Sequence, residues 1–303
     1  MESSLQKALQ KAKRKQAFKI VIISIVVVIV ALATLYRAGS YFAAKSTARL
    51  HDALFLNNEI SGPNIQIDSQ AISSRSMFEG NIVTNRSKNI DGYVVQWSTL
   101  TSSYDWFRSH IDTNELVPGF YRYGKELYHY DKQTKQKVGI FYHPSIKNYY
   151  GGVKNDLNAV SQMKNYVAEV AISFNHPYTL KEIQKQIPNN LNIVWLYMAS
   201  PIANESKGPA GMPVYGFDPS DSPKDAYNEF TKNLKKYNAD AEDETIEKFL
   251  ASNKDKSFDK VKILGVMVTG QTQNFKALEN RDFIRGASVG ATAQKVPYIK
   301  TEK

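Results

Sequence analysis

Residues 20–36 read IVIISIVVVIVALATLY, seventeen residues without a charge, a proline or a glycine. They are entered from a basic stretch that holds Lys11, Lys13, Arg14, Lys15 and Lys19. At 1.5 Å per residue a helix of this length covers roughly 26 Å, and the stems of Lys19 and Arg37 can snorkel across the rest of a bilayer core of about 30 Å. No later run is as long and as apolar, so the sequence predicts one transmembrane helix at the N-terminal end. The competing expectation is a cleaved signal peptide, since Ala31-Leu32-Ala33 has the A-x-A form. The apolar run continues past that site to Tyr36 and is longer than a signal core usually is, which favours an anchor.

Charge sets the expected orientation. Six basic residues against Glu2 give the first nineteen residues a net +5. Basic flanks such as Lys13, Arg14, Lys15 and Lys19 stay in the cytoplasm, so residues 1–19 are expected inside, 20–36 in the cell membrane and the rest outside. The +10 of the whole chain then leaves only +5 on the long outer part, too dilute for direct nucleic-acid binding. The basic stretch is read instead as a topology signal attracted to membrane lipid. The chain has no cysteine, which excludes a thiol nucleophile, a redox pair or a cysteine zinc site. An exported domain without disulfides must be held by its core alone, and its length suffices for that. A Cys-free exterior also suggests a Gram-positive surface protein.

The outer part reads as two regions, a strand-rich 37–160 and an α/β sensor-like unit 161–298, so the fold class expected is mixed α/β (α+β) behind a single membrane helix. Residues 45–100 look polar and turn-rich, with short strands near residues 65–67, 81–84 and 93–97. Residues 126–142 read as a hairpin with a polar tip inside an aromatic-dense stretch. Tyr128 and Tyr130 mark a candidate partner or ligand surface there, although half-buried strands packing on a helix are the favoured explanation of such a stripe. Further on, VAEVAISF (167–174) alternates like a strand with one buried face. Thr179 and Glu182 form a capping box for a helix that Pro188 ends near Ile187. NIVWLYM (192–198) is apolar almost throughout and reads as a central strand. Within it Trp195 is read as core, with a ligand groove as its functional alternative. A glycine- and proline-rich loop follows over 199–221. Ser222-Pro223 then starts a helix with apolar residues Tyr227, Phe230, Leu234 and Tyr237 in one stripe. An acidic-started helix, a strand over 261–269, a short helix over 274–282 and a last strand over 284–293 complete the pattern.

Chemistry finds few footholds. His51, His110, His129, His143 and His176 are scattered without metal-ligand spacing, so neither a metal nor a cofactor is expected. No nucleophile elbow or phosphate-binding Gly-Lys-Ser/Thr motif occurs, and the chain is not expected to be an enzyme. Gly265 and Gly270 could flank an anion-holding turn, but a plain strand-to-helix connection accounts for them. Asp218, Asp221 and Asp225 lack the spacing of a calcium loop, and capping explains Asp225.

KALQKAKRKQAFKIVIISIVVVIVALATLY resembles the N-terminal module of the sigma factor regulator family. The ordered motifs YVAEVAISFNHPYTLKEIQKQIPNNLNIVWLYM, GMPVYGF, ILGVMVTGQTQNF and IRGASVGA resemble its C-terminal module. The resemblance implies a membrane-anchored anti-sigma factor, single-pass, that controls an extracytoplasmic-function sigma factor in response to envelope conditions. The partners it implies are a sigma factor or a second membrane regulator. Only residues 1–19 precede the apolar run, far fewer than the cytoplasmic helical domain with which such proteins usually hold a sigma factor. Either this tail joins a partner to the complex, or the chain keeps the sensor and has lost the inhibitor. The alternative reading is a cell-surface protein that binds cell wall or a partner protein and has no sigma-factor role.

Overall fold

The computed structural model describes residues 2–74, 76, 79–105, 107–110, 119–123, 126–131, 133–149, 152–202 and 213–303. Its first element is α1 (Glu2–Ser61), a single helix about 90 Å long at 1.5 Å per residue. The apolar residues between Ile20 and Tyr36 are exposed all round, and the helix is long and apolar enough to cross a membrane. It does not stop there. The polar stretch after residue 37, where short strands and turns were expected from about residue 45, continues as helix to Ser61. Alanines at 38, 43, 44, 48 and 53 and leucines at 50, 54 and 56 favour it intrinsically. Ala43, Ser46, Leu50 and Leu54 recur at three and four and turn inward together, while the polar residues between them face out. Gly62-Pro63 ends the helix, with the Gly62 amide still donating to Asn58 O at 2.9 Å.

The chain then folds back along α1 as β1 (Gln66–Ser74), β2 (Glu79–Ile90), β3 (Tyr93–Asp105) and β4 (Ser109–His110). These form a four-stranded antiparallel sheet in sequence order. The strand positions match the expected ones, but β2 and β3 run much longer, and the polar Thr84, Ser87 and Lys88 of β2 and Ser98 and Ser102 of β3 are buried along with Ile82, Ile90 and Tyr104. Leu50 and Leu54 join Ile82 and Tyr104 in a small core, with Ala43 and Leu100 against it. At the β2–β3 turn Asp91 and Gly92 take positive φ, and the Gly92 Cα lies so close to Lys300 O that no Cβ would fit.

A two-stranded ribbon, β5 (Gly119–Tyr123) with β6 (Glu126–Tyr130), follows. The hairpin expected over 126–142 is reduced to one bridge, Tyr130 with Lys137, around a turn in which Asp131 accepts the amides of Gln133 and Thr134. Residues 138–149 form no strand. They lie as a strap over the second sheet, with Phe141, Tyr142 and Tyr149 buried. Arg285 ties the strap down by donating to the carbonyls of His143, Pro144 and Ile146.

That second sheet is entirely antiparallel. Between its strands come α2 (Leu157–Ser161), β7 (Tyr166–Tyr178), α3 (Leu180–Gln186), β8 (Asn192–Ala199), β9 (Tyr215–Phe217), α4 (Pro223–Ala241), α5 (Glu244–Asn253), β10 (Ile263–Gln271) and β11 (Ile284–Gln294). The strand order is β11-β7-β10-β8-β9, so β10 is central and the apolar β8 is second from the edge, not central as its composition suggested. Both faces are covered, which is why β7 is buried from Val167 to Phe174 rather than on alternate residues. Ala168, Val170, Ile172 and Phe174 face the helices, while Ala171 faces the strap and Val167 meets Ile90, Tyr93 and Trp97 of the first sheet. The Thr179–Glu182 capping box is present and Ile187 ends α3. Ser222 precedes α4 but bonds Asp225 at 2.5 Å instead of a backbone amide. The helix expected over 274–282 is a 3-10 segment, Thr272–Leu278.

His143 in the strap is buried, and its Nδ1 accepts from the Ser145 amide at 3.2 Å. Burial, then the nearby Arg285 cation, hold its pKa down from 6.5 to about 4. The folded protein therefore keeps it neutral where the unfolded chain would bind a proton. The stability it contributes is complete above about pH 6.5 and is lost as pH falls towards about 4, roughly 1–3 kcal/mol after allowance for solvent. Thermal unfolding in detergent micelles between pH 7.5 and 4 should show this decline, with a shallower slope in His143→Gln.

Candidate functional site: the junction of the long helix and the two sheets

The last turn of α1 is where everything meets. Ile60 has no exposed surface and belongs to the core of the five-stranded sheet, beside residues of α4 and β9. One residue earlier, Glu59 accepts from Asn233 of α4 at 2.7 Å. Asn58 donates to Ile65 O at 2.8 Å and so fixes the path out of the helix. After Pro63, Asn64 sits at φ 54, a left-handed position that asparagine tolerates.

From there Asn64 reaches both sheets. Its Nδ2 donates to Asn89 O of β2 at 2.9 Å and to Glu169 Oε2 of β7 at 2.7 Å. The other oxygen, Oε1, takes a charged bond from Lys88 of β2 at 2.7 Å. Lys88 is 3 % exposed and Glu169 0 %, so the pair is fully inside the protein. The ammonium also reaches Pro63 O at 3.3 Å and lies 4.4 Å from the centre of the Trp97 ring. Two charges taken out of water cost several kcal/mol each, and only such complete pairing makes the site tolerable. Gly290 of β11 completes the pocket, since any Cβ there would collide with Glu169 Oε1.

A cleft of about 300 Å³ opens beside this node, between the end of α1, the start of β1, α4 and the β8–β9 edge. Asn58, Glu59, Asn64, Trp195, Phe217 and Glu229 are among its lining residues. Trp195, expected as core or groove, does both. Its ring packs with Tyr197 and Met267, it lines the cleft, and its buried Nε1 finds no hydrogen-bond partner among the described residues. Asp218, also on the cleft, has its carboxyl pushed up by burial, with the Asp221 charge adding to this.

The other sequence-stated residues fall elsewhere. Tyr128 lies in β6 opposite Tyr121, and its side chain is outside the described residues. Tyr130 is half-buried on the same strand and does not line the cleft. Lys13, Arg14, Lys15, Lys19 and Arg37 are exposed on α1 at the two ends of its apolar run. Gly265 and Gly270 lie inside β10 rather than at a helix start. Asp218 accepts the Ser220 amide and Asp225 the Ser222 hydroxyl, and no group of three or more metal-capable side chains occurs among the described residues. Lys88, Glu169 and Asn64 carried no sequence signal beyond a lone Glu within an apolar strand.

The architecture is that of a helix-tethered two-sheet module in which one helix contacts both sheets. Comparison with known families places it. Residues 6–95 match the model described as Sigma factor regulator N-terminal, and residues 160–291 match Sigma factor regulator C-terminal. Together they take in well over half the chain, which belongs to the sigma factor regulator family. The match supports an anti-sigma factor role and interaction with a sigma factor in general. No curated protein and no solved structure matches the chain.

If the buried pair is the joint, breaking one side should cost more than removing both. Lys88→Met leaves Glu169 unpaired and should destabilise the protein by about 3–5 kcal/mol. Lys88→Met with Glu169→Leu should recover most of that loss. Urea unfolding followed by tryptophan fluorescence, with the coupling taken from the double-mutant cycle, measures both.

Proposed function

We propose that the protein is a single-pass regulator of an extracytoplasmic-function sigma factor in the cell membrane, with residues 1–19 in the cytoplasm and the two sheets outside, responding to envelope conditions. It acts by relaying position, without catalysis, and needs no cofactor. The observation that carries this reading is the continuity of α1. One helix joins the basic tail, the apolar run and Ile60 in the core of the second sheet, so movement at the junction is transmitted along a rigid rod. The net +5 tail supports the inside orientation. The short tail meets the sigma factor directly or through a second membrane regulator.

Co-purification from native membranes in mild detergent, against a chain lacking residues 2–19, tests the contact. A sigma factor or membrane regulator present only with the intact tail is the expected result, and its absence from both samples would return the protein to the class of surface binding proteins. The relay is tested separately by Ala44→Pro. This exposed position follows the apolar run, and proline there removes a backbone bond and bends the helix at about 3 kcal/mol. The variant should stay in the membrane and keep its folded outer part, while a reporter driven by the co-purified sigma factor stops responding to envelope stress. An unchanged response would rule out the rod as the relay.

A further inference from the structure

The four-stranded sheet does not point away from the apolar run but back towards it. Its far end is fixed at the end of α1, where Lys88 reaches Pro63 O and Asn64 holds Asn89 O. From Lys88 back to Gly80, β2 covers about 26 Å at 3.3 Å per residue, and the same distance down α1 from Pro63 ends near residue 45. The packing agrees, since Gly80 pairs with Tyr104 and Tyr104 lies in the cluster against which Ala43 packs. Beyond Tyr104 the chain turns through Asp105, Phe107 and Arg108 into β4, and this turn lies closer still to the apolar run. The Asp105 carboxylate accepts the Phe107 and Arg108 amides at 2.7 and 2.6 Å, which fixes the turn.

Phe107 is presented at 88 % exposure. On α1, Tyr41 at 64 % and Phe42 at 46 % exposure stand at nearly the same height, their rings edge to face at 5.6 Å. From Arg37, where the apolar run ends, to Ala43 the helix rises only about 9 Å, and the headgroup layer outside the hydrocarbon is about 5–7 Å deep. Aromatic side chains favour that layer. Among the described residues at the tip, the acidic Glu79 and Asp105 pair opposite one another beside Arg108, so their charges do not add up to a basic patch and the contact is aromatic rather than electrostatic.

We propose that Phe107, Tyr41 and Phe42 dock the near end of the four-stranded sheet on the headgroup layer of the bilayer, so that the outer part stands on the membrane surface as well as being tethered to it. This rests on the reading that α1 crosses the membrane. The chain has no native cysteine, which allows single nitroxide labels on the full-length protein in phosphatidylcholine vesicles. Labels at Ser109→Cys, Val28→Cys and Lys254→Cys would be compared by their relative accessibility to oxygen and to a water-soluble nickel chelate. We expect a severalfold higher oxygen-to-nickel ratio at position 109 than at 254, below that at 28, and the same in vesicles with or without phosphatidylglycerol. Adding Phe107→Asp should bring position 109 to the value at 254. A label at 109 that matches 254 from the outset, while 28 reports lipid, overturns this inference alone. An aqueous signal at 28 overturns the membrane reading beneath it. A position 109 signal that persists with Phe107→Asp overturns the role assigned to Phe107.

Discussion

A lysine and a glutamate with almost no exposed surface hold the two sheets together. The Lys88–Glu169 pair is tolerable only because every strong valence is used, by Asn64, Pro63 and the Trp97 face. These partners come from the end of α1, from β2, β3 and β7, so none of them can move far without uncovering a charge in a low-dielectric interior. A buried charge pair is a poor source of net stability. It is effective at fixing one arrangement, because a slip of either sheet would leave an ion unpaired. Here that arrangement sets how α1 enters the protein.

The second constraint is apolar. Ile60 is inserted in the same core as Phe217, Phe230 and Leu234, so the end of the long helix belongs to the hydrophobic interior of the C-terminal unit. This unit is therefore not closed upon itself but takes part of its core from a helix that begins far from it in the sequence. A family built of two modules, N-terminal and C-terminal, has in this chain a physical seam between them: one helix end, one ion pair, and the segment 296–303. Tyr93 donates to Ile299 O, and Asp91 accepts the Lys303 amide, so this segment closes over the β2–β3 turn.

The cleft lies along that seam. Its walls come from α1, β1, α4 and the β8–β9 edge, so a change in its width is a change in the angle between the helix and the C-terminal unit. Trp195, whose Nε1 has no partner among the described residues, Asp218 with its raised carboxyl, and the bonded pair Glu59–Asn233 place polar groups where such an opening would expose them. The geometry joins the part of the molecule that faces solvent to the part that leads into the apolar helix.

Local rules read from the chain alone settled the elements whose causes are local. The apolar run, its basic flank, the Thr179–Glu182 capping box and the stop at Ile187 follow from side-chain chemistry within a few residues. The ordered motifs of the C-terminal unit were likewise enough to indicate the family. What packing decides was not legible. Residues 45–61 look like loop because their exposed faces are polar, and only the sheet that covers Ser46, Leu50 and Leu54 shows why they are helix. β8 looked central because it is apolar on both sides, whereas the strap at 138–149, whose first residues read as part of a hairpin, supplies its second cover. Lys88, Asn64 and Glu169 are ordinary residues at separations of 81 and 105 positions, and nothing in a linear pattern marks them as a triad. Periodicity and capping act between neighbours in the chain, but pairing a buried charge depends on which strands the tertiary fold brings together.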